Sequence, residues 1–389
     1  MDELKSAEMF RELEEAKSYL RSKTPVYVYS EKILRQSANE AFRTFSKVGT
    51  PYYALKANAN PFLLRIIRDA GFGADAVSAN EIALAKKAGF KNIMFSGVGK
   101  TKNELKFAIE NRVQINAESE EEIAQIASIK KGIKIGIRIN PNIAVHTHRY
   151  ITTGRTINKF GIPVKYAERA FELARNFGLF PVRVHIHLGS QIFETAPYIK
   201  ALKSALEFAN TVKGVEEVDL GGGYGVGYKE GQTDFPAEAF VSQIEETAEV
   251  KGFALAFEPG RFVVACSGAL LAKVLYRKLY EKNFVVTDCG MNDFIRPALY
   301  DAYHRVINLD RSAGREIVAD IVGPVCESAD FIAKERKIVL PEQGDLLSVM
   351  DTGAYGYAMS SNYNLRCKPE EYLLTEKGSI RLIRKKVCP

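Results

Sequence analysis

The 389-residue chain is too long for one hydrophobic core of ordinary size, so two domains are expected, one of them large enough to be a barrel. Hydrophobic residues make up 46% and charged residues 26%, a globular mix that excludes a disordered chain. The 54 basic and 47 acidic residues are spread along the chain, with a dense basic run only at Arg384-Lys385-Lys386, so the net charge of +7 reads as a solvated surface and not as a nucleic-acid footprint.

Asp2, Glu3 and Lys5 stand where a secretory leader would place charge-poor apolar sequence, and no apolar run is long enough to span a bilayer. The expected compartment is the cytoplasm, with no membrane partner. Five cysteines without a CxxC pair are expected as reduced thiols there, which argues against a disulfide framework and against a zinc site.

Residues 2–21 read as an amphipathic helix, because Phe10, Leu13, Ala16 and Leu20 recur at helical spacing among Glu, Lys and Arg. Pro25-Val26-Tyr27-Val28-Tyr29 then reads as a strand. From about residue 50 short apolar strands alternate with helices, the strands being Tyr52–Leu55, Ala74–Val77, Ile93–Phe95, Val113–Ile115, Ile133–Ile139, Val182–His187, Glu217–Leu220 and Phe253–Phe257. After the first of them Asn60 can cap a helix, Pro61 suits its first position and Gly71 can close it. Eight such repeats imply an α/β fold with a closed (β/α)8, TIM-like barrel, with a doubly wound open sheet as the alternative. Beyond Arg261 the helices thin out. Lys282–Asp288, Ile317–Val325, Asp345–Met350 and Ile380–Ile383 read as strands of a mainly β C-terminal domain. The expected division is residues 1–29 as a helix and strand packing on the C-terminal domain, 30–264 as the barrel and 265–389 as the β-rich domain.

Chemistry in such a barrel belongs at the C-terminal strand ends, where four unusual sites lie. Lys56 follows the first strand in Tyr-Tyr-Ala-Leu-Lys-Ala-Asn. Most lysines are surface residues, but one aimed into a barrel mouth can form an imine with an aldehyde cofactor. In His185-Ile186-His187-Leu188-Gly189-Ser190, alternation puts both histidines on one face. No third ligand at metal spacing accompanies them, so no metal is expected; His187 suits stacking on a flat ring, and Gly189 and Ser190 could serve a phosphate. Gly221-Gly222-Gly223-Tyr224-Gly225, after the seventh strand, is a flexible turn or a phosphate loop, and its position favours the second. Glu258-Pro259-Gly260-Arg261 closes the eighth strand. Glu258 and Arg261 could be a structural ion pair, but an acid there can keep a pyridine nitrogen protonated while the arginine meets phosphate or carboxylate.

These four sites resemble, in order and in strand-end placement, those of the fold-type-III pyridoxal-phosphate-dependent decarboxylases, the group that includes ornithine, arginine and diaminopimelate decarboxylases. The resemblance covers nearly the whole chain. It continues with Met291-Asn292-Asp293-Phe294-Ile295-Arg296-Pro297-Ala298-Leu299-Tyr300, Gly323-Pro324-Val325-Cys326-Glu327-Ser328, Gly353-Ala354-Tyr355-Gly356-Tyr357 and Ser361-Asn362-Tyr363-Asn364, which look like the diaminopimelate branch. It implies pyridoxal 5′-phosphate held as an imine by Lys56, with His187 stacked on its ring. Ser190, Gly223 and the segment Glu258, Pro259, Gly260 and Arg261 would hold its phosphate and ring nitrogen. Arg261, Arg296 and Tyr300 would bind substrate, Tyr355 would touch both cofactor and substrate, and Cys326 and Glu327 would enter the site of a neighbouring subunit, making a homodimer.

The implied reaction is decarboxylation of meso-2,6-diaminopimelate to L-lysine, the last step of lysine biosynthesis, with Cys326 helping to reprotonate the product carbon. A free cysteine is otherwise a small buried apolar residue. Glu327 can pair with the distal ammonium, and Arg261 and Arg296 with a distal carboxylate that an ornithine enzyme would not need to recognise. Another basic amino-acid decarboxylase, or a racemase of the same fold, is the alternative; a silent binding protein would be expected to lose Lys56 or the Cys326-Glu327 pair. Asn158-Lys159-Phe160-Gly161 departs from the family's Ser-Lys-Phe-Gly in its first residue, and His146 and His148 are expected to be solvated or structural. Asp75 and Glu81 match a family segment near the cofactor, although capping of a helix start would also explain Asp75. Arg138 is a further candidate to face the cofactor.

Overall fold

The computed structural model describes residues 3–143, 159–247, 250 and 252–389. The chain divides into two compact units: Met1–Ser37 with Val226–Thr233 and Val263–Pro389, and Ala38–Gly225 with Asp234–Phe262.

The chain opens with α1 (Glu3–Leu20) and β1 (Val26–Ser30), followed by α2 (Glu31–Phe45). In α1 the buried stripe is Met9, Leu13, Ala16 and Leu20, with Phe10 only partly covered beside it. The stripe expected from sequence is therefore rotated by one residue at its start, because positions 9, 13, 16 and 20 lie on one line of a 3.6-residue helix. All five residues of β1 are buried, which explains its unbroken apolar and aromatic run.

The barrel unit contains β2 (Thr50–Ala54), β3 (Gly73–Ala76), β4 (Ile93–Phe95), β5 (Gln114–Ala117), β6 (Lys134–Asn140), β7 (Ile162–Pro163), β8 (Phe180–His185), β9 (Glu217–Asp219) and β10 (Ala254–Phe257). The order is β5-β4-β3-β2-β10-β9-β8-β6, all neighbours are parallel, and a β5–β6 pairing closes the ring. Closure excludes the open doubly wound sheet and leaves a TIM-like eight-membered ring; β7 is a two-residue strand attached to β6 outside it. Four of the helices between strands begin where the sequence supplies a side-chain cap. Asn60 accepts from the Phe62 amide at 3.0 Å at the start of α3 (Pro61–Asp69), Ser78 caps α4 (Ala79–Ala88), Thr101 and Glu104 form a capping box on α5 (Lys102–Glu110), and Ser119 caps α6 (Glu120–Ile129). Gly71 lies just past α3 with φ of 112°, as its expected closing role requires. The remaining barrel helices are α7 (Val164–Asn176), α8 (Ala196–Thr211) and α9 (Ala237–Glu245). Phe45 of α2, Tyr198 of α8, Tyr224, Phe235 and Phe240 of α9 form an aromatic cluster with ring centroids as close as 4.8 Å. Such pairs each add about 0.5–1.5 kcal/mol beyond the area they bury, so this cluster is a firm base for the Gly221–Gly223 turn that precedes Tyr224.

After α10 (Arg261–Val264) come β11 (Gly268–Leu279), β12 (Asn283–Thr287), α11 (Arg296–Tyr300), β13 (Val306–Asn308), β14 (Glu316–Val322), β15 (Phe331–Val339), β16 (Leu346–Val349), β17 (Glu370–Leu374) and β18 (Ile380–Arg384). They make a mixed sheet, β15-β14-β12-β11-β1-β17-β18, with β16 joining β11 and β13. β1 is built into it, antiparallel to β11 and parallel to β17. The stripe of α1 packs on Val26, Val28, Ala269, Leu271, Leu346 and Met350 of this sheet. No helix among the described residues is long and apolar enough to cross a membrane.

The expectation of reduced thiols fails at one pair. Cys367 and Cys388 form a disulfide, while Cys266, Cys289 and Cys326 are free. An antiparallel bridge between Lys368 and Val387 sets the two chain segments side by side, a pairing that a count of cysteines cannot reveal.

Candidate active site

Lys56 sits in a single helical turn, Leu55–Ala57, directly after β2, with Leu55 and Ala57 buried on either side of it. The turn is pinned from below: Tyr53 donates its hydroxyl to the Asn58 carbonyl at 3.0 Å, and Asn58 accepts from the Asn60 amide at 3.0 Å. The Lys56 side chain keeps 36% exposure, and its Nζ lies 3.6 Å from Oδ2 of fully buried Asp75. Neither Asp75 oxygen has a hydrogen bond. Burial, then the charge of Glu258, push the Asp75 carboxyl up to about 8, against the pull of Lys56. The capping explanation of Asp75 fails, because Ser78 and Glu81 do that work. Ser78 Oγ accepts from the Glu81 amide and Glu81 accepts from the Val77 amide at 2.7 Å.

Glu258, at the end of β10, is buried with His185 Nε2 3.3 Å from its Oε1, and Ser96 donates to the same oxygen at 3.2 Å. Asn116 in turn donates to Ser96 at 3.1 Å. Burial pushes the Glu258 carboxyl up, but the contact with His185, then the charge of Lys56, draw it below the usual carboxylate range, which favours its ionised form. Asp219, at the end of β9, behaves in the opposite way: burial and the Glu258 charge push it well up against the pull of Arg183, while its Oδ1 accepts from the Gly221 amide at 2.8 Å. The two acids titrate as a coupled pair, and burial together with their mutual repulsion disfavours both being charged at once. His185, Asp219 and Glu258 each bring a ligand-type atom within 4.8 Å of the others, a spacing that could hold a cation. The sequence expectation of no metal relied on the absence of a third ligand near the two histidines; here the further candidates come from other strands of the ring.

The glycine turn is needed for packing. A Cβ on Gly222 would stand 2.1 Å from the Glu258 carbonyl, and one on Gly223, at φ of 102°, would stand 2.1 Å from the Gly189 carbonyl. The loops after β8, β9 and β10 therefore approach one another backbone to backbone at these two glycines. His187 accepts from the Gly222 amide through Nδ1 at 3.1 Å, and Tyr198 donates to the Gly222 carbonyl at 2.9 Å. Desolvation, then the cations Lys56 and Arg138, lower the basicity of His187 well below that of free imidazole, leaving a neutral flat ring. Arg261, at the start of α10, donates to Ser190 Oγ at 3.2 Å, which joins a cation and a hydroxyl beside the glycine turn. Gly260 sits against Ala54 and Ala57, and the Pro259 carbonyl accepts from the Ala54 amide at 3.3 Å. Arg138 pairs with Glu118 at 2.6 Å and lies 4.8 Å from the Phe160 ring, while its charge also acts on His185 and His187. His146, His148 and Asn158 lie outside the described residues.

In the strand-rich unit, Arg296 is buried at the start of α11, its NH1 2.7 Å from His304 Nε2 and its guanidinium 4.9 Å from the Tyr228 ring. Tyr300, four residues on in the same short helix, is partly exposed. Cys326 and Glu327 are exposed, with the Cys326 amide donating to Asn364 at 3.1 Å and the Tyr363 hydroxyl donating to Glu327. Tyr355 has φ of 56°, a left-handed conformation uncommon for a bulky residue and frequent at working sites.

Residues 31–265 match the family model described as pyridoxal-dependent decarboxylase, pyridoxal binding domain. The chain belongs to the pyridoxal-dependent decarboxylases. Diaminopimelate decarboxylase of Aquifex aeolicus is 38% identical, covering 93% of this chain and 89% of that one, and the enzyme of that name from Helicobacter pylori strain J99 is 42% identical with 94% and 93% covered. The crystal structure of Helicobacter pylori diaminopimelate decarboxylase complexed with L-lysine superposes with a TM-score of 0.89 at 38% identity, covering 94% of each chain.

For a pyridoxal-dependent decarboxylase, several contacts above are not evident from sequence. Asp219 stands in Val-Asp-Leu-Gly-Gly-Gly, where strand alternation leads an acid into the ring, a signal that the adjacent glycines overshadow. Ser96, Asn116, Tyr228 and His304 carry no local signal, since each acts on a residue 8 or more positions away.

Proposed function

We propose that the protein decarboxylates meso-2,6-diaminopimelate to L-lysine and CO2, the last step of lysine biosynthesis, with pyridoxal 5′-phosphate as cofactor. The observation that carries this reading is the near full-length likeness to relatives named diaminopimelate decarboxylase, one of them solved with L-lysine. The barrel's own chemistry fits the cofactor. It offers a partly exposed amine beside a buried acid, an ionised carboxylate, a neutral imidazole, and a cation paired with a hydroxyl next to a glycine turn.

Pyridoxal phosphate, when bound, takes up the electron pair left on the substrate carbon as CO2 departs. Lys56 would hold the cofactor's aldehyde, and Asp75 would keep that amine oriented. Ionised Glu258 would hold a proton on the ring nitrogen, and the His187 ring would lie against the cofactor's face. Ser190, Gly223 and Arg261 would bind its phosphate; the Ser190 contact favours that duty for Arg261 over contact with substrate. Arg296 would take the substrate's distal carboxylate, assisted by Tyr300 and Tyr355, while Glu327 would pair with the distal ammonium and Cys326 would return a proton to the reacting carbon. Exposure of Cys326 and Glu327 supports their use by a second copy of the chain in a homodimer.

The substrate panel tests the reading. Holoenzyme given meso-diaminopimelate should release CO2 and L-lysine, and L-ornithine or L-arginine should give almost none. Comparable turnover of L-ornithine would overturn it.

A further inference from the structure

Arg296 does not stand alone in the wall of the strand-rich unit. Its NH1 meets His304 Nε2 at 2.7 Å, and His304 Nδ1 meets the Met350 carbonyl at 2.9 Å. A carbonyl can only accept and a guanidinium N–H can only donate. Nδ1 must therefore carry the hydrogen and Nε2 the lone pair, so both contacts are satisfied together only by the neutral Nδ1–H form of His304. The ring is fully buried and is wedged between Phe294, edge-on at 4.7 Å between centroids, and Tyr228 at 4.6 Å. Tyr228 also lies against the Arg296 guanidinium, which is thereby fixed along one N–H direction and against one face.

We propose that His304 is a positioning residue for Arg296, orienting the guanidinium so that it discriminates for ligands carrying a carboxylate beside the distal ammonium. The inference rests on the reading of Arg296 as the distal-carboxylate contact. A bidentate arginine–carboxylate contact depends on the plane of the guanidinium, which an acceptor on one nitrogen and a ring on one face define. An asparagine in place of His304 can keep the donor to Met350 and loses the acceptor for Arg296; a glutamine can place an acceptor where Nε2 stands.

The test compares two ligands on the holoenzyme by equilibrium titration. L-lysine keeps the carboxylate and ammonium of the end that is not decarboxylated, whereas 1,5-diaminopentane keeps only the amines. His304→Asn should weaken L-lysine binding on the order of tenfold or more, roughly the worth of one charge-assisted hydrogen bond, and leave 1,5-diaminopentane within about threefold. His304→Gln should recover most of the loss, and His304→Asn added to Arg296→Gln should cost nothing further. The ratio of the two affinities within one variant is unaffected by a folding defect. Equal weakening of both ligands, or unchanged L-lysine binding in His304→Asn while Arg296→Gln loses it, would overturn the positioning role. Unchanged L-lysine binding in Arg296→Gln would instead overturn the assignment of Arg296, and the inference with it.

Discussion

Replacement of Asp75 by asparagine has a pH signature that follows from where the carboxyl lies. Asp75 is fully buried without hydrogen bonds, facing Lys56 at 3.6 Å, and its acidity is shifted from 3.8 up to about 8. At about 1.4 kcal/mol per pH unit, that change favours the neutral acid in the fold by about 6 kcal/mol. Because the folded value is the higher one, the native state binds more protons than the unfolded chain between these limits, and stability falls as pH rises through them. The amide of the variant has no charge to bury. The stability of Asp75→Asn relative to the parent should therefore climb by several kcal/mol from about pH 4 to about pH 9, with most of the rise complete by about pH 8. Urea unfolding of the cofactor-free protein and variant across that range measures it. A difference that stays flat with pH, or a parent that gains on the variant at high pH, would refute the account of Asp75 as a desolvated acid.

Glu258→Gln should lower kcat on the order of 100-fold with a smaller change in KM, since an ionised acid beside the ring nitrogen acts on the developing charge and not on substrate binding; steady-state kinetics with meso-diaminopimelate checks it. Gly222→Ala must displace the Glu258 carbonyl that would stand 2.1 Å from the new Cβ, so the thermal midpoint should drop by the equivalent of about 1–3 kcal/mol and cofactor retention should fall with it. Lys56→Ala and Cys326→Ala chains, each nearly inactive, should regain part of the activity when mixed; absence of recovery despite demonstrated subunit exchange would count against sites shared between subunits.

The barrel was legible because its strands are short, mostly buried segments centred on apolar residues, and several are followed by a cap: Asn60, Ser78, Thr101 and Ser119 all start helices where their residue type foretells it. Lys56, His187, the glycines and Glu258 were legible for a related reason, being polar or small at strand ends where apolar packing would otherwise continue. What was hidden was pairing across the ring. That His185 faces Glu258 depends on β8, β9 and β10 lying side by side in the ring, which spacing along the chain does not encode. The strand-rich unit was read less completely. β11 runs from a buried start into an exposed end at Arg277, Lys278 and Leu279, and β15 carries Lys334, Glu335, Arg336 and Lys337 with Glu335 at φ of 50°, so neither shows the period of two that marks a half-buried strand. β17 hides a fully buried Glu371, satisfied by the Tyr29 hydroxyl at 2.6 Å and by Arg384, which reads as a surface charge until its partners are known.

Reduction of the holoenzyme with borohydride, followed by peptide mapping, tests most directly whether the Lys56 turn at the barrel mouth is the seat of the chemistry. A pyridoxyl group on the peptide that contains Lys56, and loss of both label and yellow colour in Lys56→Ala, is the result the account predicts. Label on another lysine, or retained in Lys56→Ala, would contradict it.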